Sequence, residues 1–154
     1  MPFPRSFVLI TLIASFTTAG VSQEKKIPRT ALPPAVEKTV QAQSQGAVIR
    51  GFAQETEAGQ TLYEAELRVN DHSKDVTMDV TGTIVEVEEE VAVDLLPASV
   101  KAGLQAKAGK GKLVEVESLT KHDKLVAYEA QVQTAGKKSE VQVGPDGNPL
   151  DHEE

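Results

Sequence analysis

One stretch of this chain is written twice. Leu32-Pro33-Pro34-Ala35-Val36 returns as Leu96-Pro97-Ala98-Ser99-Val100 at an offset of 64 residues, and Tyr63-Glu64-Ala65-Glu66-Leu67 returns as Tyr128-Glu129-Ala130-Gln131-Val132 at an offset of 65. Val76-Thr77-Met78 and Val141-Gln142-Val143 keep the step of 65, as do Gly46 with Val48-Ile49 and Gly111 with Leu113-Val114; Gly82 falls on Gly147. Matches that stay in register along so much of the chain constrain the fold more than any single motif, because a recurring unit must bury the same apolar face twice. A unit of about 60 residues buries little apolar surface on its own. The two copies are therefore expected to pack together or to pair into one sheet.

The periodicities inside the copies agree with each other. Leu32, Val36 and Val40, and again Leu96, Val100 and Leu104, recur every four residues and form one apolar stripe on a helix of about three turns. A Pro opens each stretch where a helix has no partner for its first N–H groups, and Gly46 and Gly109 or Gly111 stand where each helix stops. Alternation follows: Tyr63, Ala65, Leu67 and Val69 share one face of a strand, Glu64, Glu66 and Arg68 the other. Val126, Tyr128, Ala130 and Val132 alternate with Glu129, Gln131 and Gln133 in the same way. Val76, Met78 and Val80 supply a third strand and Val85 with Val87 a fourth, with turns at Ala58-Gly59-Gln60, at Gly82 and at Asp146-Gly147.

The expected fold class is α+β: two tandem copies of a helix followed by a three- to four-stranded antiparallel sheet, helices packed on one sheet face and the other face polar. The expected segments are a signal peptide over 1–22, a flexible linker over 23–31, the first repeat over 32–90, the second over 91–150 and a disordered tail over 151–154. The leader is read from its three parts: Arg5, the mostly apolar run Phe7 to Phe16, and the small residues Thr17 to Gly20. The run is shorter than the roughly 20 residues a bilayer span needs. Cleavage fits after Ala19 or after Ser22, no Cys is present to carry a lipid anchor there, and no later segment is apolar enough to cross a membrane. The compartment expected is the periplasm or the exterior.

Charge and aromatic content narrow the partners. From Leu32 onward the chain holds 22 acidic and 12 basic residues, a net of −10. A nucleic acid partner, which calls for a basic footprint, is excluded on that ground. Beyond the leader the aromatics are Phe52, Tyr63 and Tyr128, too few for base-stacking or sugar-stacking platforms. Nucleophilic catalysis is unsupported as well, since there is no Cys and His72, His122 and His152 belong to no recognisable motif. Tyr63 and Tyr128 stand at equivalent places, which favours packing with a polar tip over a unique site.

The Leu-Pro-x-x-Val helix start, the Tyr-Glu-Ala strand and the Gly-centred hairpin, present over Leu32 to Glu86 and again over Leu96 to Leu150, resemble the tandem PepSY-like proteins of the β-lactamase-inhibitor-like kind. The resemblance implies an exported α+β module that binds or inhibits proteins such as peptidases or β-lactamases. It covers nearly all of the chain after the leader, and departs from the disulfide-bearing inhibitors in having no Cys.

The function expected is an exported non-enzymatic binding module, a protein inhibitor directed at a peptidase or another hydrolase in its sharpest form, that uses no cofactor. Its partner would be a protein, a hydrolase or a basic protein, steered electrostatically to the polar sheet face. The residues expected to meet it are Glu64, Glu66, Arg68, Thr77 and Asp79 in the first copy and Glu129, Gln131 and Gln142 in the second. The alternative is a cation-binding or cation-sensing protein using Glu86 and Glu88 in the run Glu86, Glu88, Glu89, Glu90. Asp71-x-Ser73-x-Asp75 echoes a calcium loop but has Val76 where the sharp turn wants Gly and Gly82 where the bidentate Glu belongs.

Overall fold

The computed structural model describes residues 24–154. The signal peptide expected over 1–22 lies outside the described residues. The elements in chain order are β1 (Lys25–Lys26), α1 (Pro34–Gln43), β2 (Val48–Glu57), β3 (Gln60–Val69), β4 (His72–Asp79), β5 (Ile84–Glu90), α2 (Ala98–Ala108), β6 (Lys112–Lys121), β7 (Lys124–Thr134) and β8 (Lys137–Val143). The strands form one eight-stranded sheet in sequential order, every neighbour antiparallel. No helix among the described residues is long and apolar enough to cross a membrane.

This topology corrects the expected fold class. The chain is not two tandem units, each a helix followed by its own three- to four-stranded sheet; it is one predominantly β body with two helices laid on a single sheet. The joint is the pairing of β5 with β6, from Glu86 opposite Lys121 to Glu90 opposite Glu117. The reason is the cost of edges: two separate sheets would leave one row of backbone donors and acceptors on each of β5 and β6 unpaired, and pairing them removes both edges at once.

Hairpin chemistry sets the order of strands. Four connections turn on two residues that both have positive φ: Ala58-Gly59, Asn70-Asp71, His122-Asp123 and Ala135-Gly136. That backbone twist matches the right-handed twist of the flanking strands and keeps successive strands adjacent. Residues matched on the ladder point to one face, so the register separates the sheet into two chemistries.

The first face is apolar. Val36 and Val40 of α1 meet Phe52, Ala65, Leu67, Val76 and Met78 in one core, and Val100 and Leu104 of α2 meet Val116, Ala130 and Val143 in another. Val36, Val40, Val100 and Leu104 have no exposed surface at all. The matched turns dock the same way: Thr39 Oγ1 donates to the carbonyl of Gly82 at 2.7 Å, and Gly147, at φ +84°, lies with its Cα against the Ser99 carbonyl of α2. Adding a Cβ to Gly147 would drive it into Ser99, whereas Gly59, at φ +81°, faces open space. Gly147→Ala is expected to cost roughly 2–4 kcal/mol, the left-handed penalty plus overpacking, and Gly59→Ala only about 1–2 kcal/mol. Urea unfolding midpoints of the two variants check this, and equal shifts would show that the turn does not bear on α2.

Candidate functional site

The face away from the helices is built by the same register, and it is acidic. Reading across the strands, one row runs Gly51, Glu66, Asp75, Glu88, Leu119, Ala127 from β2 to β7. The row on one side runs Ala53, Glu64, Thr77, Glu86, Lys121 from β2 to β6. On the other side Glu90, Glu117, Glu129 and Gln142 stand opposite one another from β5 to β8. Beyond them Glu115, Gln131 and Glu140 continue the face. Two triplets of carboxyl groups, Glu66-Asp75-Glu88 and Glu90-Glu117-Glu129, are thus placed directly opposite on neighbouring strands, an arrangement that ordinarily destabilises a sheet.

The sequence supports this locally. Alternation of Glu64, Glu66 and Arg68 with Tyr63, Ala65 and Leu67 places the charges of β3 on the solvent side once the apolar set is committed to the core. Gly51 leaves room at its place in the row: a Cβ there would lie 3.2 Å from Oε1 of Glu66. Lys26 of β1 reaches over this gap to Glu66 at 3.4 Å. At another margin Lys121 stands 3.7 Å from Glu86, and Arg68 pairs with Asp71 at 3.7 Å. The ion-paired bases of this face, among the described residues, sit at its borders, and toward its middle Glu90 accepts from the N–H and Oγ of Ser73 at 3.0 and 3.2 Å.

Protonation follows from that crowding. Burial first, then the neighbouring charges of Asp75, Glu24, Glu66 and Glu55, pushes Glu64 up to about 8. Burial, then Glu117, Glu86, Glu129 and Asp75, pushes Glu88 up to about 9. Glu117 rises to about 7 and Asp75 to about 6, again chiefly by burial and then by facing carboxylates. Burial also raises Glu86, in spite of the opposing pull of Lys121, and Glu140. The face therefore holds protons near neutral pH and gains negative charge as the solution becomes alkaline. It can accept hydrogen bonds from ammonium or guanidinium groups. Ser73, on the same side of β4 as Asp75, donates its Oγ to Glu90 Oε2 at 3.2 Å and lies 3.4 Å from Glu115 Oε1, while His72 opens β4, His122 sits in a hairpin turn and His152 follows β8.

Of the residues expected from sequence, Glu64, Glu66, Arg68, Thr77, Glu129, Gln131 and Gln142 all fall on this face. Gln142 is 7% exposed and donates Nε2 to Glu129 at 2.6 Å. Asp79 follows Thr77 in the same alternation, opposite Leu62, but its carboxylate is engaged elsewhere. Its Oδ1 accepts from the N–H groups of Thr81 and Thr83 at 2.8 and 3.1 Å and from Thr81 Oγ1 at 2.6 Å, so it closes a turn. Those bonds, with the Thr81 hydroxyl the largest cause, hold its carboxyl below the usual range. Glu86 and Glu88 also lie on the face, but Glu86 is taken by Lys121, and among the described residues no three His, Asp or Glu side chains converge as a metal site.

Sequence reasoning passed over Asp75, Glu115, Glu117 and Glu140. Asp75 belongs to the alternation that contains Thr77, which is the signal that places it on this face, although Asp71-x-Ser73-x-Asp75 also reads as a loop echo. The stretch 151–154, expected to be a disordered tail, contains no helix or strand. Glu154 nevertheless donates its N–H to Gln142 Oε1 at 2.9 Å and places Oε2 3.7 Å from Lys121 Nζ.

No family model and no curated protein matches the chain. Among solved structures, a BLIP-like protein from Bacteroides fragilis superposes with a TM-score of 0.58 at 18% identity, over 80% of this chain and 84% of its own. A DUF2874 family protein from Bacteroides ovatus gives 0.61 at 20% identity, over 78% and 85%. A candidate periplasmic protein from Bacteroides eggerthii gives 0.63 at 19% identity, over 77% and 86%. These likenesses establish a BLIP-like fold for the chain.

The raised carboxyls make a prediction about pH. A group that is neutral in the fold above the pH at which the unfolded chain ionises it stabilises the fold fully below its unfolded pKa, and that stability is lost as pH rises through the folded value. With Asp75, Glu117, Glu64 and Glu88 spread from about 6 to about 9, the melting temperature should fall steadily between pH 5 and pH 9. Glu88→Gln should flatten the alkaline part of that fall and melt higher than the parent at pH 9. A melting temperature that rises across this window would show that the carboxyls do not crowd one another.

Proposed function

We propose that the chain is an exported, non-enzymatic binding module that engages a basic protein partner through the acidic face of its sheet. The observation that carries this reading is the double row of facing carboxyls, Glu66-Asp75-Glu88 and Glu90-Glu117-Glu129, on a sheet face that no helix covers. Crowding like charges costs stability, and a partner presenting Lys or Arg side chains would relieve it by supplying the missing counter-charge. The bases already at the margins show the chemistry on a small scale, Lys26 against Glu66 and Lys121 against Glu86.

Three further features support the reading. The leader pattern at the N-terminus suits export, and one structural neighbour is described as a candidate periplasmic protein. The description of another as BLIP-like agrees in kind with the resemblance read from the sequence. In its finer form the module is an inhibitor, the partner a peptidase or another hydrolase whose basic surface docks on Glu64, Glu66, Asp75, Glu117, Glu129 and Gln131.

The test is capture from periplasmic extract at low and moderate salt, with the retained protein identified by mass spectrometry and then titrated in purified form. Replacing Glu64, Glu66 and Glu129 by Gln and Asp75 by Asn should weaken that interaction at least about tenfold and reduce its salt sensitivity, since exposed charge pairs are screened at physiological ionic strength. Retention that is indifferent to both salt and these substitutions would reject the face as the docking surface.

A further inference from the structure

We infer that residues 149–154 form a strap across the β6–β8 side of the acidic face and compete there with the partner. The inference rests on the reading of that face given above. After β8 the chain reverses in a turn closed by Gly144 N–H to the Asn148 carbonyl at 2.8 Å and by Asn148 N–H and Nδ2 to the Asp146 carboxylate at 3.0 and 2.7 Å. The turn is anchored on the opposite side of the sheet, where Gly147 lies against Ser99 and Gly103 of α2. From this fixed point the chain returns to the acidic face.

The landing points define the strap. Glu154 N–H donates to Gln142 Oε1 on β8 at 2.9 Å, and Glu154 Oε2 stands 3.7 Å from Lys121 Nζ on β6. Between those strands lies β7, whose residue opposite Leu119 on this face is Ala127. Although no helix covers this side, Ala127 is 0% exposed and Leu119 is 4% exposed. A small residue on β7, flanked by an anchor on each neighbouring strand, is what a crossing segment requires.

The contact is built to be displaced rather than to lock. It contributes one part-buried hydrogen bond and one part-buried ion pair at 3.7 Å, few contacts to hold a segment of six residues in place. It also carries Glu153 and Glu154 onto a face that already repels acids, and Glu153 lies close enough to Glu140 to push that carboxyl up, after burial. Lys121 is the shared element, 3.7 Å from Glu86 and 3.7 Å from Glu154. A cationic partner arriving at Gln142 and Glu129 needs the surface that the strap occupies, and it can take Glu154 as a further acceptor once the strap lifts.

The probe is a fluorescein-labelled decalysine peptide titrated by anisotropy into the purified chain, into the same chain lacking residues 151–154, and into Glu154→Gln. A strap closed for about nine-tenths of the time lowers apparent affinity about tenfold, so the shortened chain should bind on the order of tenfold more tightly. This is the opposite of what loss of three acids does by charge alone. Hydrogen exchange of 149–154 in the full chain should also rise on adding decalysine, a readout that does not depend on how the shortened chain folds. Equal or weaker binding by the shortened chain, or exchange that does not change, overturns the strap. If the parent binds decalysine and loses it on neutralising Glu66, Asp75 and Glu129, the acidic face stands even when the strap falls. If the parent does not bind at all, both fall together.

Discussion

The ladder between β5 and β6 is the interaction on which the rest of the molecule depends. Five residue pairs, from Glu86 with Lys121 to Glu90 with Glu117, turn two β segments into one sheet. Because a strand's side chains alternate with period two, that register also decides which residues of the first half share a face with those of the second. A slip by one residue would send Glu88 and Glu90 toward the helices and break the acidic rows in the middle. One set of hydrogen bonds therefore closes the sheet and assembles the surface.

The two faces then divide the work. On the helix side, the stripes of Val36 with Val40 and Val100 with Leu104 cover separate stretches of sheet, and the turns at Gly82 and Gly147 fasten each helix at one end. Burial there provides the free energy that lets the other side be unfavourable. On the acidic side the carboxyls are crowded enough that burial and mutual repulsion keep several of them protonated near neutrality. Strain of this kind held by a stable scaffold is a usual mark of surfaces kept for binding. It also explains why small residues, Gly51 and Ala53 on β2 and Ala127 on β7, occur on this face: they make space for Lys26 to cross one edge and for the segment after β8 to approach from the other.

A good part of the face was legible in the chain. Glu64, Glu66, Thr77, Glu129, Gln131 and Gln142 could be placed together because they alternate with residues too apolar to leave exposed, and the recurrence at 65 residues gave the second set from the first. Asp79 stands by register in the alternation of Thr77, opposite Leu62, but an Asp at the end of a strand also serves the turn that follows, and its bonds to Thr81 and Thr83 tie its carboxylate there. Asp75 and Glu117 were missed for a related reason: their neighbours across the ladder, and not their neighbours in the chain, make them part of the site.

The sequence by itself determined the two helical stripes, the alternation of the strands, the positions of the main turns and the acidic character of whatever face stays uncovered. These are local properties, set by periodicities of 3.6 and 2 and by residues that tolerate or forbid particular backbone angles. The tertiary structure alone decided that the two copies join edge to edge in one sheet rather than pack as separate units, that carboxyls from β3 to β7 stand directly opposite one another, and that Glu154 comes to lie beside Lys121. Strand pairing across a helical connection depends on edges meeting in space with their hydrogen-bonding groups in register, and that condition leaves no signature in the order of residues along either strand.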